Sequence, residues 1–353
     1  MRSVVAMSRS FGVTMDSRVA WPFAALVALL VFNLVFSSDF LTFQVRDGRL
    51  YGGLVDIFEN AAPLILVAAG VAIVIGTGGI DLSVGSVMAI SGTVAAGMIA
   101  RPEYSVFNNV GFGGSILPAI SLAIVTAGIA GLLNGTLVGI LGVQPLMATL
   151  VLMVAGRGVA QLLSDGQIIT FREPAMDFLG SGAWLGLPVA IWISLCGVVF
   201  VAVIVRVTAI GFLAEAIGDN RTAAALSGVP VRPLVMFAYV ITGLLAGVAG
   251  ILVVCDIGAA DSIRAGRDKE LDAILAVVLG GTTLSGGRFS ILGAVIGALL
   301  IQTLTTTILA QGIVEDSARL VKGGVVIAIC LLQSDRFRSG VTRAWKWRRS
   351  STS

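Results

Sequence analysis

The chain of 353 residues is 57% hydrophobic and 12% charged, with 44 glycines, no histidine and a formal net charge of +3. So few charges could not keep a soluble surface of this size hydrated, and composition therefore points to a membrane protein with several spans. The missing histidine removes the commonest general base, proton shuttle and metal ligand. Cys196, Cys255 and Cys330 lie far apart, in or beside apolar runs, as packing residues do.

Residues 1–18 carry Arg2, Arg9 and Arg18, and residues 19–36 form an unbroken apolar run. That run is longer than a signal-peptide core and is followed by no small-residue cleavage site, so it reads as an uncleaved first span. After a polar connection come runs at 61–79 and 84–100, parted only by GIDLS. The loop RPEYSVFNNVGFGGS leads to 116–141, long enough to cross with tilt, and Gln144-Pro145 opens the segment that ends at 163. A polar loop, SDGQIITFREPAMDFLGSG, precedes a run at 184–205, and a further run occupies 234–254. The loop CDIGAADSIRAGRDKELD is followed by runs at 273–284, 291–310 and 320–332. The reading is an all-α, polytopic transmembrane domain over 19–333 with about ten spans, closed by a basic tail at 334–353.

One long polar stretch, FLAEAIGDNRTAAALSGVPV from Phe212 to Val231, interrupts the apolar pattern within a loop at 206–233. Ala214-Glu215-Ala216 and Ala223-Ala224-Ala225 are strong helix formers, while Gly218 and Gly228 break the run into short pieces. Residues 1–18, 206–233 and 334–353 together hold twelve Lys/Arg against four acids. The positive-inside rule places these segments, and so both termini, in the cytoplasm. The tail also suits contact with anionic lipid. A short exposed helix on that side is a surface for a partner.

GGIDLSVG at 78–85 aligns with GGTTLSGG at 280–287, pairing Gly78 with Gly280, Gly79 with Gly281, Ser83 with Ser285 and Gly85 with Gly287. Either these are glycine-interrupted helices beside a substrate path, or they are tight turns with Ser83 and Ser285 as N-caps. The halves can run parallel or inverted, and both segments can be re-entrant. Asp81 is an acid between apolar runs, replaced by Thr283 in the second copy, and serves either the path or an interfacial cap. Arg157 sits between glycines and can snorkel to the span end. Asn134, Gln144, Thr149, Gln161 and Gln302 suit a polar passage for a neutral, hydroxyl-rich cargo, or interhelical hydrogen bonds. No G-x-x-x-x-G-K-[ST] loop cradles ATP, and no catalytic constellation or Cys/His metal cluster is present. Nothing beyond the basic tail suits nucleic acid.

GGIDLSVGSVMA, AIGDNRTAAALSGV and LDAILAVVLGGTTLSGGRFSILGAVIGALL, in this order over nearly the whole chain, resemble the permease subunits of bacterial ribose-type ABC sugar importers. RDGRLYGGLVDI, QPLMATLVLMVAGRGVAQL and DGQIITF are similar to the galactofuranose-importing branch. The resemblance implies an inner-membrane permease that moves a monosaccharide by alternating access and is not itself an enzyme. It implies a separate ATPase subunit that binds ATP and Mg, a periplasmic sugar-binding protein and a second permease subunit. That second permease is a different chain in galactofuranose-type systems and the same chain in ribose-type systems.

On this resemblance the central stretch corresponds to the coupling helix that docks on the ATPase, with Glu215, Gly218, Asp219, Asn220, Ala223, Ala224 and Gly228 as coupling residues. Gly218 and Gly228 would shape helix ends, and Asp219 and Asn220 would cap and contact the partner. Family patterns often carry a neutral residue where Asp219 stands. The path candidates are Gly78, Gly79, Asp81, Ser83, Asn134, Gln144, Thr149, Gln161, Thr283, Ser285 and Gln302. The alternatives are a stand-alone ion-coupled carrier that uses Asp81, and a structural scaffold without transport.

Overall fold

A computed structural model describes residues 17–36, 40–46, 48–100, 115–312 and 315–333. Most of the N-terminal tail and the whole basic tail lie outside the described residues. The helices are α1 (Ser17–Phe36), α2 (Gly53–Gly76), α3 (Val84–Ile99), α4 (Ile116–Gly135), α5 (Pro145–Leu163), α6 (Pro174–Ser181) and α7 (Val189–Val207). They continue as α8 (Ile210–Asp219), α9 (Arg221–Leu226), α10 (Val231–Ile257), α11 (Lys269–Leu279), α12 (Ile291–Ala310) and α13 (Glu315–Gln333). A π-helical turn, Thr136–Ile140, prolongs α4. Three short antiparallel ribbons tie the loops, including Ile169–Thr170 against Ala259–Ala260.

Every apolar run contains a helix. Among the described residues seven helical segments are long and apolar enough to cross a bilayer: α1, α2, α4 with its π turn, α5, α7, α10 and α12. The other runs fold shorter or more polar. At 1.5 Å per residue α3 spans about 24 Å and α11 about 16 Å, against a hydrocarbon core of about 30 Å. The run at 273–284 is therefore a half-length helix that begins in the polar loop at Lys269 and stops at Leu279. The sequence pattern also hid α6, an eight-residue helix inside the polar loop after α5.

Helix burial separates a centre from a rim. The spans α2, α10 and α12 are 78%, 67% and 61% buried, while α1, α4, α5 and α7 are only 22–28% buried. The buried α10 packs against α2, α3 and α4, while α12 packs against α11, α2 and α1. Lipid tails are as apolar as leucine, so helix association here depends on close backbone approach across small residues. A Cβ on Gly131 of α4 would stand 2.5 Å from the Tyr239 carbonyl oxygen of α10. One on Gly243 would stand 2.6 Å from the Ala127 carbonyl oxygen, so the two glycines mark a single close crossing. Gly250 meets the Met88 carbonyl of α3 in the same way, and Gly297 meets that of Ala276 in α11. Outside the core, Arg49 pairs with both oxygens of Glu59 at 2.8 and 2.7 Å, and Lys322 pairs with Asp272 at 2.6 Å.

The α4–α10 crossing can be tested directly. Gly243→Ala should lower the thermal unfolding midpoint in detergent, because overpacking costs about 1–3 kcal/mol and the obstruction here is backbone. Gly158→Ala, with open space around it, should leave the midpoint unchanged or raise it. Equal midpoints for both variants would refute the crossing.

Candidate functional site

The two glycine-rich segments end their helices identically. Gly78 N–H donates to the Ile75 carbonyl at 2.8 Å and Gly79 N–H to that of Val74 at 3.0 Å. Gly281 N–H donates to Val278 at 2.9 Å and Thr282 N–H to Val277 at 3.2 Å. Both are Schellman ends, with the left-handed residue supplied by Gly78 (φ +77°) and Gly281 (φ +93°). The structural register therefore pairs Gly78 with Gly281, one residue away from the sequence alignment. Beyond this point the copies diverge. Helix α3 starts at Val84, whereas α12 waits until Ile291. Ser83 occupies the N-cap position of α3 without a side-chain cap bond. Ser285 caps nothing, because Ser290 is the N-cap of α12 and accepts from Gly293 N–H at 3.0 Å.

The α2–α3 loop is fastened by a buried polar knot. Asp81 Oδ1 accepts from Ser83 N–H at 2.9 Å and from Ser83 Oγ at 2.6 Å. Asn134 Nδ2, from α4, donates to Ser83 Oγ at 2.8 Å. The hydroxyls of Tyr239 (α10) and Thr149 (α5) reach the Ile80 carbonyl at 3.2 and 3.3 Å. Ser86 Oγ lies 2.8 Å from the Ser83 carbonyl and 3.1 Å from that of Leu152. Asp81, Ser83, Asn134 and Thr149 are all buried, and Asn134 Oδ1 has no partner. Four path candidates from three parts of the chain, the loop itself, α4 and α5, thus meet here and are closed off from solvent. Tyr239 and Ser86 complete the knot and were not among the candidates. A phenol inside the apolar run LVMFAYVITG was their one available signal.

The central stretch folds as two helices, α8 and α9, and the break falls at Asn220. That residue is extended and caps α9, its Oδ1 accepting from Ala223 N–H at 2.9 Å. Gly218 does not end a helix as expected but lies in the last turn of α8 for a packing reason. A Cβ there would stand 2.0 Å from the Gly76 carbonyl oxygen and 2.2 Å from Gly287 N. Gly287 N–H itself donates to the Gly76 carbonyl at 3.1 Å. One on Gly286 would stand 2.8 Å from Gly78 Cα and 3.0 Å from Gly218 Cα. Three backbones thus converge at one junction: the end of α2, the loop after α11 and the end of α8. Asp219 Oδ1 faces Gly287 at this junction. Gly228 has φ +83° and turns the chain after α9. Ala224 is buried, Glu215 half-buried, and Phe212 and Leu226 stand out at 74% and 86% exposure.

The remaining candidates lie apart from the knot. Gln144 and Gln161 are exposed at the ends of α5, and Gln302 Nε2 reaches only Thr306 Oγ1, at 3.4 Å. Thr283 and Ser285 are exposed in the loop, where Thr283 Oγ1 donates to the Gly286 carbonyl at 3.0 Å. Arg157 does not snorkel freely, since its Nη1 donates to the Ala265 carbonyl. Among the described residues no His/Cys/Asp/Glu group is arranged to hold a metal.

The family described as branched-chain amino acid transport system, permease component, matches residues 53–330. The chain belongs to this permease family. It is 46% identical to the galactofuranose transporter permease protein YtfT of Escherichia coli K12, over 92% of this chain and 94% of that one. It is 34% identical to the fructose import permease protein FruF of Bifidobacterium longum, over 92% and 90%. It is also 34% identical to the ribose import permease protein RbsC of E. coli K12, over 88% and 93%. No solved structure matches. The permease is mostly helical and multi-pass, as family and spans together require.

Ser83→Ala would strip one donor from Asp81 and leave Asn134 Nδ2 without its acceptor. Each buried polar group so orphaned costs about 1–3 kcal/mol, so the unfolding midpoint of the permease should fall clearly. Thr283→Ala, on an exposed loop, should not move it. A Ser83→Ala midpoint matching wild type would show that the knot contributes nothing.

Proposed function

We propose that the permease is the membrane-embedded subunit of an ATP-driven importer whose cargo is a monosaccharide, galactofuranose or a sugar like it. The observation that carries the mechanism is the glycine junction. It joins the exposed α8–α9 pair by direct backbone contact to the ends of both glycine-rich loops. A partner gripping Phe212, Leu226 and the outer face of α9 would grip rigid levers on α2–α3 and α11–α12. The partner is an ATPase subunit that holds ATP and Mg, and its closure moves α8 and α9. The spans then switch the side to which the path opens. Glu215, Gly218, Asp219, Asn220, Ala223, Ala224 and Gly228 are the coupling residues. Gly218 transmits through contact, Asn220 caps α9, and Asp219, exposed beside Gly287, stands where junction and partner meet.

In this reading α3, α11 and α13 complete ten passes with the seven long spans. The transmembrane domain occupies 19–333, flanked by cytoplasmic tails at 1–18 and 334–353, with the coupling loop at 206–233 on the same side. A periplasmic sugar-binding protein delivers the cargo. A second permease subunit, a different chain as in galactofuranose-type systems, completes the path in the inner membrane. Asp81, Ser83, Asn134 and Thr149, with Gly78, Gly79, Gln144, Gln161, Thr283, Ser285 and Gln302, are the residues proposed to bear on that path. The knot is proposed to hold one of its states closed. A stand-alone ion-coupled carrier remains the second reading, because Asp81 is a buried acid between spans.

Gly228→Pro forbids the positive φ and removes the amide that donates to the Ala225 carbonyl at 3.1 Å. It should cut sugar uptake in cells by roughly tenfold or more while the chain still inserts and co-purifies with its partners, as should Gly218→Ala. Normal uptake in both would sink the coupling assignment. Asp81→Asn decides the second reading, because a pH dependence of uptake that disappears with the carboxylate would favour the ion-coupled carrier.

A further inference from the structure

A cleft of about 610 Å³ opens between the π turn after α4, helix α9 and the first turn of α10. Two arginines from different elements, Arg221 of α9 and Arg232 of α10, line it, and its lining contains no acid. Neither guanidinium has a hydrogen bond or ion pair with any described residue. The acid nearest in sequence, Asp219, faces Gly287 instead. In the first turn of α10 the Val231 N–H already donates to the Val229 carbonyl at 2.8 Å and Pro233 has no N–H, so the site rests on the two guanidiniums. Ile140, Leu141, Val229 and Val231 add apolar side chains to the same lining. Ile140 and Leu141 are 49% and 67% exposed at the mouth. Two apolar spans end and begin here, so the mouth lies where hydrocarbon gives way to headgroups.

Paired guanidiniums beside exposed aliphatic side chains match a ligand that carries a phosphate and an acyl chain together. We propose that this cleft is a binding site for the phosphodiester of an anionic phospholipid headgroup. Arg221 and Arg232 each donate charge-assisted hydrogen bonds to its oxygens, and Ile140 and Leu141 lie along the upper acyl chain. Bound there, the lipid clamps α9 to the start of α10, next to the turn at Gly228. A free phosphate offers the same oxygens without the chain, and an acidic protein segment offers charge without the aliphatic contact. The exposed Ile140 and Leu141 favour the lipid. Only the assignment to the cytoplasmic leaflet rests on the function proposed above.

Native mass spectrometry of the complex purified from its host, stripped of lipid and titrated with phosphatidylglycerol, tests the site. The wild-type complex should retain phosphatidylglycerol over phosphatidylcholine, and Arg221→Gln/Arg232→Gln should weaken that retention by about tenfold or more. Arg206→Gln, a basic residue at the end of α7 outside the cleft lining, should retain it. An unchanged unfolding midpoint in lipid-free detergent will show that the double variant is folded. Equal retention by the double variant, or equal retention of phosphatidylcholine, would overturn the proposal. Inorganic phosphate binding as tightly as the lipid would also overturn it, in favour of a free-phosphate site. Retention by the isolated chain but not by the complex would reassign the cleft to a protein interface.

Discussion

Hydrocarbon offers no water to a backbone N–H or carbonyl, and that constraint governs wherever this chain leaves helical geometry inside its spans. In the α2–α3 loop the Ile80 carbonyl has no helical partner, and two hydroxyls from different helices reach it. The α2 end satisfies carbonyls of its last turn through a Schellman turn, and the buried Gly76 carbonyl accepts from Gly287 N–H across the junction. The breaks in the helices are therefore fastened places, each tied to a specific neighbour.

That fastening makes the glycine junction mechanically useful. Contacts between long side chains can be absorbed by rotamer changes, but a backbone-to-backbone contact cannot. At Gly218, Gly76 and Gly287 no side chain lies between the elements, so displacement of α8 passes to both loops with little slack. The α2–α3 loop is in turn bonded to α4, α5 and α10 through the Asp81 knot. The half-length helix α11 packs on α12 and α2, which ties the loop after it to the same centre. A surface segment is thereby linked to both halves of the bundle through a few atoms of main chain.

How much of this was legible in the sequence depends on the kind of signal. Apolar runs gave the spans because a bilayer demands length and composition, and these survive without tertiary context. The central stretch stood out for the same reason in reverse, as the one long polar, helix-prone interruption. What could not be read was pairing. Gly218 looked like a helix breaker, yet its role is to let three backbones meet, and only the positions of residues 76 and 287 reveal that. The two glycine-rich motifs match by identical letters in one register, but as helix ends they match at their positive-φ glycines, Gly78 and Gly281, one residue away. Polar residues in and beside the spans could not be told apart from sequence: Asn134 and Thr149 join the knot, Gln144 and Gln161 are exposed at the ends of α5, and nothing in their local sequence separates these outcomes. Helix α11 read as a full span because its apolar run continues into a loop that is not helical.

The direction of the hydrogen bonds around Asp81 bears on what drives transport. Asn134 can only donate through Nδ2, so Ser83 Oγ accepts from it and is left with one proton, which points at Asp81. Ser83 N–H points there as well. Every donor in the chain runs toward the carboxylate, an arrangement that suits a fixed acceptor holding a loop in shape. A residue that binds and releases a coupling ion must instead trade partners with water during the cycle, and Asp81 is almost fully buried among groups already committed to it. Opening that site would first dismantle the bonds that anchor the α2–α3 loop to α4. The geometry therefore favours Asp81 as a structural latch that holds the α2–α3 loop to α4.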